Sequence, residues 1–243
     1  MRPLWVIGAG GHAKVVIDTA LASGQFDVVG VLDDDPRLWG TRVLGVPVRA
    51  AASALVARRV GVEYAVIAVG NNRIRAEIAG RLDELLAWAT VVHPTAYLAR
   101  GAVIGEGSLV CAGAILQPDA RIGRHAILNT AASIDHDGVV GDFTHVGPGV
   151  RLAGSVRVGA SVLLGIGCSV LPGCSVGTGA TIGAGTVVVR DIPAGVTAIG
   201  VPARFTPTLD KLCASPLCAQ GSDETMAPAI ALADRALPSE NTG

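Results

Sequence analysis

Residues 122–152 read IGRHAI-LNTAAS-IDHDGV-VGDFTH-VGPGVR-L, and each hexad opens on an aliphatic residue. The rhythm runs without a slip from Leu98 to Val188, where all sixteen positions spaced six apart carry Leu, Ile or Val. Neither a helix period of 3.6 nor a strand period of 2 selects one position in six. A fixed hexapeptide period is the mark of a parallel β-helix, with the aliphatics stacked inside a narrow prism. Small residues follow many of them, as in Ile104-Gly105, Ile122-Gly123, Val158-Gly159 and Val176-Gly177. These glycines are expected to let the chain turn its corners. At three hexads per coil, the repeat makes roughly five coils.

The composition agrees. Half of the 243 residues are hydrophobic, yet there are only three Trp, two Tyr and three Phe. A thin prism filled with Val, Ile, Leu and Ala has no room for rings. The 32 glycines follow the repeat, which argues against disorder. A net charge of −1 offers no electrostatic footprint for nucleic acid. No run of eighteen apolar residues predicts a membrane span. The opening Met1-Arg2-Pro3-Leu4-Trp5-Val6-Ile7-Gly8 enters a strand at once, without a signal-peptide cleavage pattern. Five cysteines form no disulfide framework, so reduced thiols and a cytoplasmic location are expected. Cys168 and Cys174, six apart in the repeat, are expected to be buried.

Three domains are predicted: an α/β unit over 1–90, a solenoid over 91–204 and a mostly disordered tail over 205–243 with a short helix near 230–236. In the first, strands are expected at 4–7, 28–32 and 64–69 and helices at 14–22, 50–59 and 73–88, a small Rossmann-like parallel βαβαβ sheet. Gly8-x-Gly10-x-x-Ala13 fits a phosphate-cradling turn, and Asp33 lies where a ribose-binding acid would sit. So few strands suit a mononucleotide better than a dinucleotide. A second loop, Gly70-Asn71-Asn72-Arg73, is expected near the first at the carboxyl edge of the sheet.

The ordered set Gly8-Ala9-Gly10-Gly11-His12, Leu32-Asp33-Asp34, Ala68-Val69-Gly70-Asn71-Asn72, His93-Pro94, Asp135-His136-Asp137 and Ile199-Gly200-Val201-Pro202-Ala203-Arg204 resembles the hexapeptide-repeat sugar acetyltransferases. It is most similar to those acting on nucleotide-linked 4-amino-4,6-dideoxy sugars, GDP-perosamine above all, and it also resembles the related sialic acid O-acetyltransferases. The resemblance covers residues 4–204. It implies a left-handed β-helix, a homotrimer, and acetyl-CoA bound between neighbouring prisms with no metal. It further implies that Gly10, Gly11, His12, Asp33, Asp34 and Gly70 hold the nucleotide sugar. His145, Ile166 and Ala184 match positions where the family contacts the coenzyme.

His136 is the candidate general base, because an amine must lose a proton to end as an amide and histidine titrates in the right range. A neighbouring carboxylate would steady its cationic form. Asp137 stands where the family often has glutamate, and Asp135 is the other candidate. O-acetylation of a sugar hydroxyl is the alternative chemistry, and a trimeric nucleotide-binding scaffold the alternative without catalysis. A zinc site built from His125, His136 and His145 is a competing idea, but the spacings do not resemble those of the γ-class carbonic anhydrases.

Overall fold

The computed structural model describes residues 1–53, 64–83 and 86–206. The first unit is built on β1 (Arg2–Ile7), with β2 (Phe26–Leu32) and β5 (Tyr64–Ile67) pairing parallel to it on either side. Helix α1 (Gly11–Ala22) follows β1 and buries Ala13, Val16, Ile17 and Ala20 against the sheet. The sheet is larger than expected. A hairpin of β3 (Arg42–Val43) and β4 (Val46–Ala50) extends one edge, and β6 (Ala87–Trp88) the other, in the order β3-β4-β2-β1-β5-β6.

Two helix expectations need correction. Ala50 closes β4, where it pairs with Leu32, so it is not helical, and residues 54–59 lie outside the described residues. Helix α2 (Asn72–Leu82) is shorter than the predicted 73–88. Trp88 is instead drawn into β6 by pairing with Ala65, and its indole N–H donates to Asp83 Oδ1 at 2.7 Å. An apolar period of 3.6 cannot distinguish a continuing helix from a turn into a buried edge strand.

From Val91 to Val188 every hexad contributes one two-residue strand to one of three parallel faces. Five coils have a strand on all three faces, and a sixth is closed by the bridge between Val176 and Ile192. From Ile104 to Val188 the aliphatic of each hexad packs into the core, and so does the small residue two positions before the next aliphatic, such as Ala114, Ala120, Ala126 and Ala132. Where that residue is polar, its hydroxyl is satisfied. Thr144 Oγ1 donates to Gly159 O at 2.8 Å and accepts from Val162 N at 3.0 Å. Cys168 and Cys174 occupy the same register and are buried, and burial pushes the Cys168 thiol up to about 12. The final strands, Thr197–Ile199 and Arg204–Thr206, pair antiparallel, so regular structure runs two residues past the expected boundary at 204. The expected disorder and short helix at 207–243 fall outside the described residues.

The corners follow a rule that differs from the one expected. The residue with positive φ lies three positions after each aliphatic, at every sixth position from Gly101 to Gly185, and at seven of these fifteen positions it is not glycine. The glycines directly after the aliphatics do another job. A Cβ at Gly123 would lie 2.1 Å from Asp142 Oδ1 and 2.6 Å from Asp142 N in the coil above. Close coil stacking, not turning, demands glycine there.

Candidate active site

His136 stands on a corner between the strands Ser133–Ile134 and Val139–Val140. Its ring Nδ1 meets Asp137 Oδ2 at 2.9 Å, while its backbone N–H donates to Asp135 Oδ1 at 3.0 Å. The two acids therefore divide the work: Asp137 faces the imidazole and Asp135 braces the turn. Asp137 holds the left-handed corner conformation with φ of 59°, which aspartate tolerates better than most side chains. That conformation brings its carboxylate back over the neighbouring ring. The Asp137 hydrogen bond raises the His136 pKa above its ordinary value, and Asp135 adds to the effect. His136 is 60% exposed, so Nε2 is open to a reactant.

Gly154, in the next coil, keeps that space clear. A methyl there would lie 2.5 Å from His136 Nε2. Because the exposed ring can swing away, Gly154→Ala should cost little stability yet re-aim the candidate base. A loss of roughly 100-fold in turnover with an unchanged melting temperature is expected. Wild-type turnover in that variant would show that the ring's position is not critical.

His145 is half-buried. Its Nδ1 donates to Gly70 O at 3.2 Å, and its Nε2 accepts from Asn129 Nδ2 at 3.1 Å. The amide is oriented by Asn129 Oδ1, which accepts from Thr130 N at 2.8 Å. His145 therefore holds one neutral tautomer, with both ring nitrogens engaged. Burial lowers its pKa, and the Arg75 charge adds to this. His12 lies 6.1 Å away, centroid to centroid, and burial, with smaller contributions from His145 and Arg75, brings it down to about 4.

The other predicted residues divide between two clefts and a helix end. Asp33 and Asp34 line a cavity of about 690 Å³ at the carboxyl edge of the sheet, together with Gly8, Glu77 and Arg81. Asp33 Oδ2 accepts from Ala9 N at 2.7 Å and so shapes the glycine turn, while Asp34 Oδ2 meets Arg81 at 3.0 Å. Gly70 lines a second cleft of about 680 Å³ against Leu163 and Thr181 of the solenoid. Gly10 and Gly11 are exposed at the start of α1, where Gly10 is the N-cap and no acidic side chain occupies the first turn. Ile166 and Ala184 sit on a different solenoid edge from His136, between the faces that hold Leu163–Leu164 and Ser169–Val170.

His125 is not part of this chemistry. It is 1% exposed, stacked on Phe143 at 5.2 Å and edge-on to Trp88 at 4.7 Å. Among the described residues, no group of three His, Cys, Asp or Glu is placed to hold a metal ion. Burial, reinforced by Arg124, holds His125 down to about 4, against an ordinary value of about 6.5. Between those values the unfolded chain binds more protons than the folded one, so stability falls as pH drops through that window and is constant above it. His125→Phe should flatten the fall of melting temperature between about pH 6.5 and 4. An unaltered slope would mean that His125 binds protons equally in the folded and unfolded states, so that burial does not hold its pKa down.

Sequence reasoning missed Arg75. Its fully buried guanidinium donates to Val69 O, Gly70 O, Asn72 Oδ1, His125 O and Phe143 O at 2.7–3.2 Å. The only hint in the sequence was a basic residue on the apolar side of a short helix.

A parallel β-helix preceded by an α/β unit, with a histidine–carboxylate pair on one corner of the helix, is the architecture of a hexapeptide-repeat transferase. Two family descriptions match the chain: the PglD N-terminal domain over residues 3–82, and the bacterial transferase hexapeptide (six repeats) over 155–190. PerB from Caulobacter crescentus, in complex with CoA and GDP-perosamine, is 40% identical with a TM-score of 0.79, over 85% of this chain and 98% of that one. The acetyltransferase domain of PglB from Neisseria gonorrhoeae is 38% identical with a TM-score of 0.78, over 85% of this chain and all of that domain. UDP-N-acetylbacillosamine N-acetyltransferase of Bacillus subtilis (strain 168) is 38% identical over 118 residues, 46% of this chain, and the match spans only about half of that relative's length (52%). The chain belongs to the family of left-handed β-helix sugar N-acetyltransferases that includes PerB. Among the described residues, no helix is long and apolar enough to cross a membrane.

Proposed function

We propose that this chain transfers the acetyl group of acetyl-CoA to the 4-amino group of a nucleotide-linked 4-amino-4,6-dideoxyhexose, with a GDP-perosamine-type sugar as the favoured acceptor. The observation that carries this reading is the exposed His136–Asp137 pair on a solenoid corner. In the reaction the sugar amine attacks the thioester carbonyl, a C–N bond forms, and His136 Nε2 takes the proton that the nitrogen loses. The C–S bond then breaks, and the departing sulfur is protonated to free CoA. Asp137 stabilises the imidazolium in between. The cavity at Asp33 and Asp34 receives the nucleoside, and the open N-terminus of α1 at Gly10, Gly11 and His12 receives the diphosphate. His145, Ile166 and Ala184 belong to the coenzyme side. The chain works in the cytoplasm, where acetyl-CoA is available.

His136 and the two corner residues Ile166 and Ala184 lie on different edges of one prism, so the reading requires a second copy of the chain to bring them together, within a homotrimer. Complementation tests this. Co-expressed His136→Ala and Ile166→Glu chains should recover activity that neither has alone, since mixed trimers contain an intact interface. No recovery would place both halves of the site in one chain.

The reaction is tested by thiol release from acetyl-CoA with GDP- and UDP-linked 4-amino-4,6-dideoxyhexoses and free sialic acid. Turnover with a GDP-linked amino sugar is expected. Turnover with sialic acid alone would make the chain an O-acetyltransferase. Silence throughout, without coenzyme binding, would leave a nucleotide-binding scaffold.

A further inference from the structure

Arg75 is 1% exposed, and no carboxylate pairs with it among the described residues. All of its acceptors are neutral oxygens, so the charge is buried at a real desolvation cost, which brings the guanidinium down to about 10. A plain tether between α2 and the solenoid would be cheaper as an apolar side chain. What the planar fork adds is direction, because five donors in fixed geometry hold five acceptors in fixed places.

Those acceptors come from separate parts of the molecule. His125 O and Phe143 O belong to equivalent corners of successive coils, and Asn72, which accepts from Arg75, also donates to Val162 O in the coil beyond at 2.9 Å. Val69 O and Gly70 O belong to the loop at the mouth of the nucleotide cavity. Gly70 O is also the acceptor of His145 Nδ1–H. The adjoining flank of α2, at Ile74, Glu77, Ile78 and Arg81, lines the nucleotide cavity. Helix α2 is thus a rigid bar with the nucleotide site on one side and, through Arg75 and Gly70, the His145–Asn129 pair on the other.

We infer that Arg75 is a positioning residue that holds His145 in a single orientation and tautomer by fixing the Gly70 carbonyl. Its consequence for turnover rests on the acetyl transfer proposed above, but its effect on His145 does not. The test uses the full chain as wild type, Arg75→Lys and Arg75→Met, with ¹⁵N-labelled histidine followed by NMR in the free protein. His145→Gln identifies the His145 signals. In wild type, His145 should show a protonated Nδ1 and an unprotonated Nε2. In Arg75→Lys, which keeps the charge but loses the fork, both tautomers should appear and kcat/KM for acetyl-CoA should fall by roughly 100-fold. Arg75→Met should show the same mixture. A folded Arg75→Lys with the wild-type tautomer would overturn the inference. Failure of both variants to fold would assign Arg75 to the fold alone and overturn it equally. A wild type that transfers no acetyl group would defeat the proposed reaction while the NMR comparison still decided the role of Arg75.

Discussion

Replacing His136 with Ala should lower kcat by roughly 10²- to 10⁴-fold, the range over which a positioned base contributes, with the fold and coenzyme binding retained. The side chain is exposed and supports no core packing, so the loss should be chemical. Asp137→Asn separates two effects. In wild type the Asp137 hydrogen bond raises the His136 pKa, and a base must be unprotonated to act. The acid limb of kcat/KM should therefore lie above the ordinary histidine value of about 6.5 and move to lower pH in Asp137→Asn. Turnover at high pH should also drop, because the imidazolium formed during reaction has lost its partner. An acid limb that stays put in Asp137→Asn would show that another group governs it. Full activity in His136→Ala would remove His136 from the mechanism.

Arg75→Ala should destabilise the described unit by on the order of 3–5 kcal/mol. Four backbone carbonyls and the Asn72 side chain lose a buried donor together, and a large void opens between α2 and the coils. Domain stabilities are only about 5–15 kcal/mol, so the denaturation midpoint should move conspicuously. Arg75→Lys should recover part of the loss, since an ammonium reaches some of the same carbonyls. A midpoint within experimental error of wild type for Arg75→Ala would mean that water replaces the guanidinium at these oxygens.

The solenoid was legible because its period is local. One aliphatic in six needs no long-range information, and the strand of each hexad pairs with its equivalents eighteen residues before and after it. The Asp135-His136-Asp137 triplet was legible for the same reason, although its division of labour was not. Which acid faces the ring depends on the positive φ at Asp137, a property of the corner register. Less was readable in the α/β unit. The hairpin of β3 and β4 turns through Leu44 and Gly45, and leucine with φ of 46° is not a turn signal a sequence advertises. Trp88 left its helical pattern for a strand because β5 offered an unpaired edge.

By itself the sequence determined the β-helix, the family resemblance and the candidate base, since each is written in short-range spacing and residue type. Only the tertiary structure decided that His145 is turned against Gly70 and Asn129 with both nitrogens engaged, and that Arg75 ties the Val69–Gly70 loop to successive coils. It also decided that His136 and the pair Ile166 and Ala184 occupy different edges of one prism. These are relations between residues 16 to 75 positions apart, created when coils stack and a helix docks across them. Spacing along the chain carries the stacking period, but it does not carry which side chain meets which carbonyl across a docked surface.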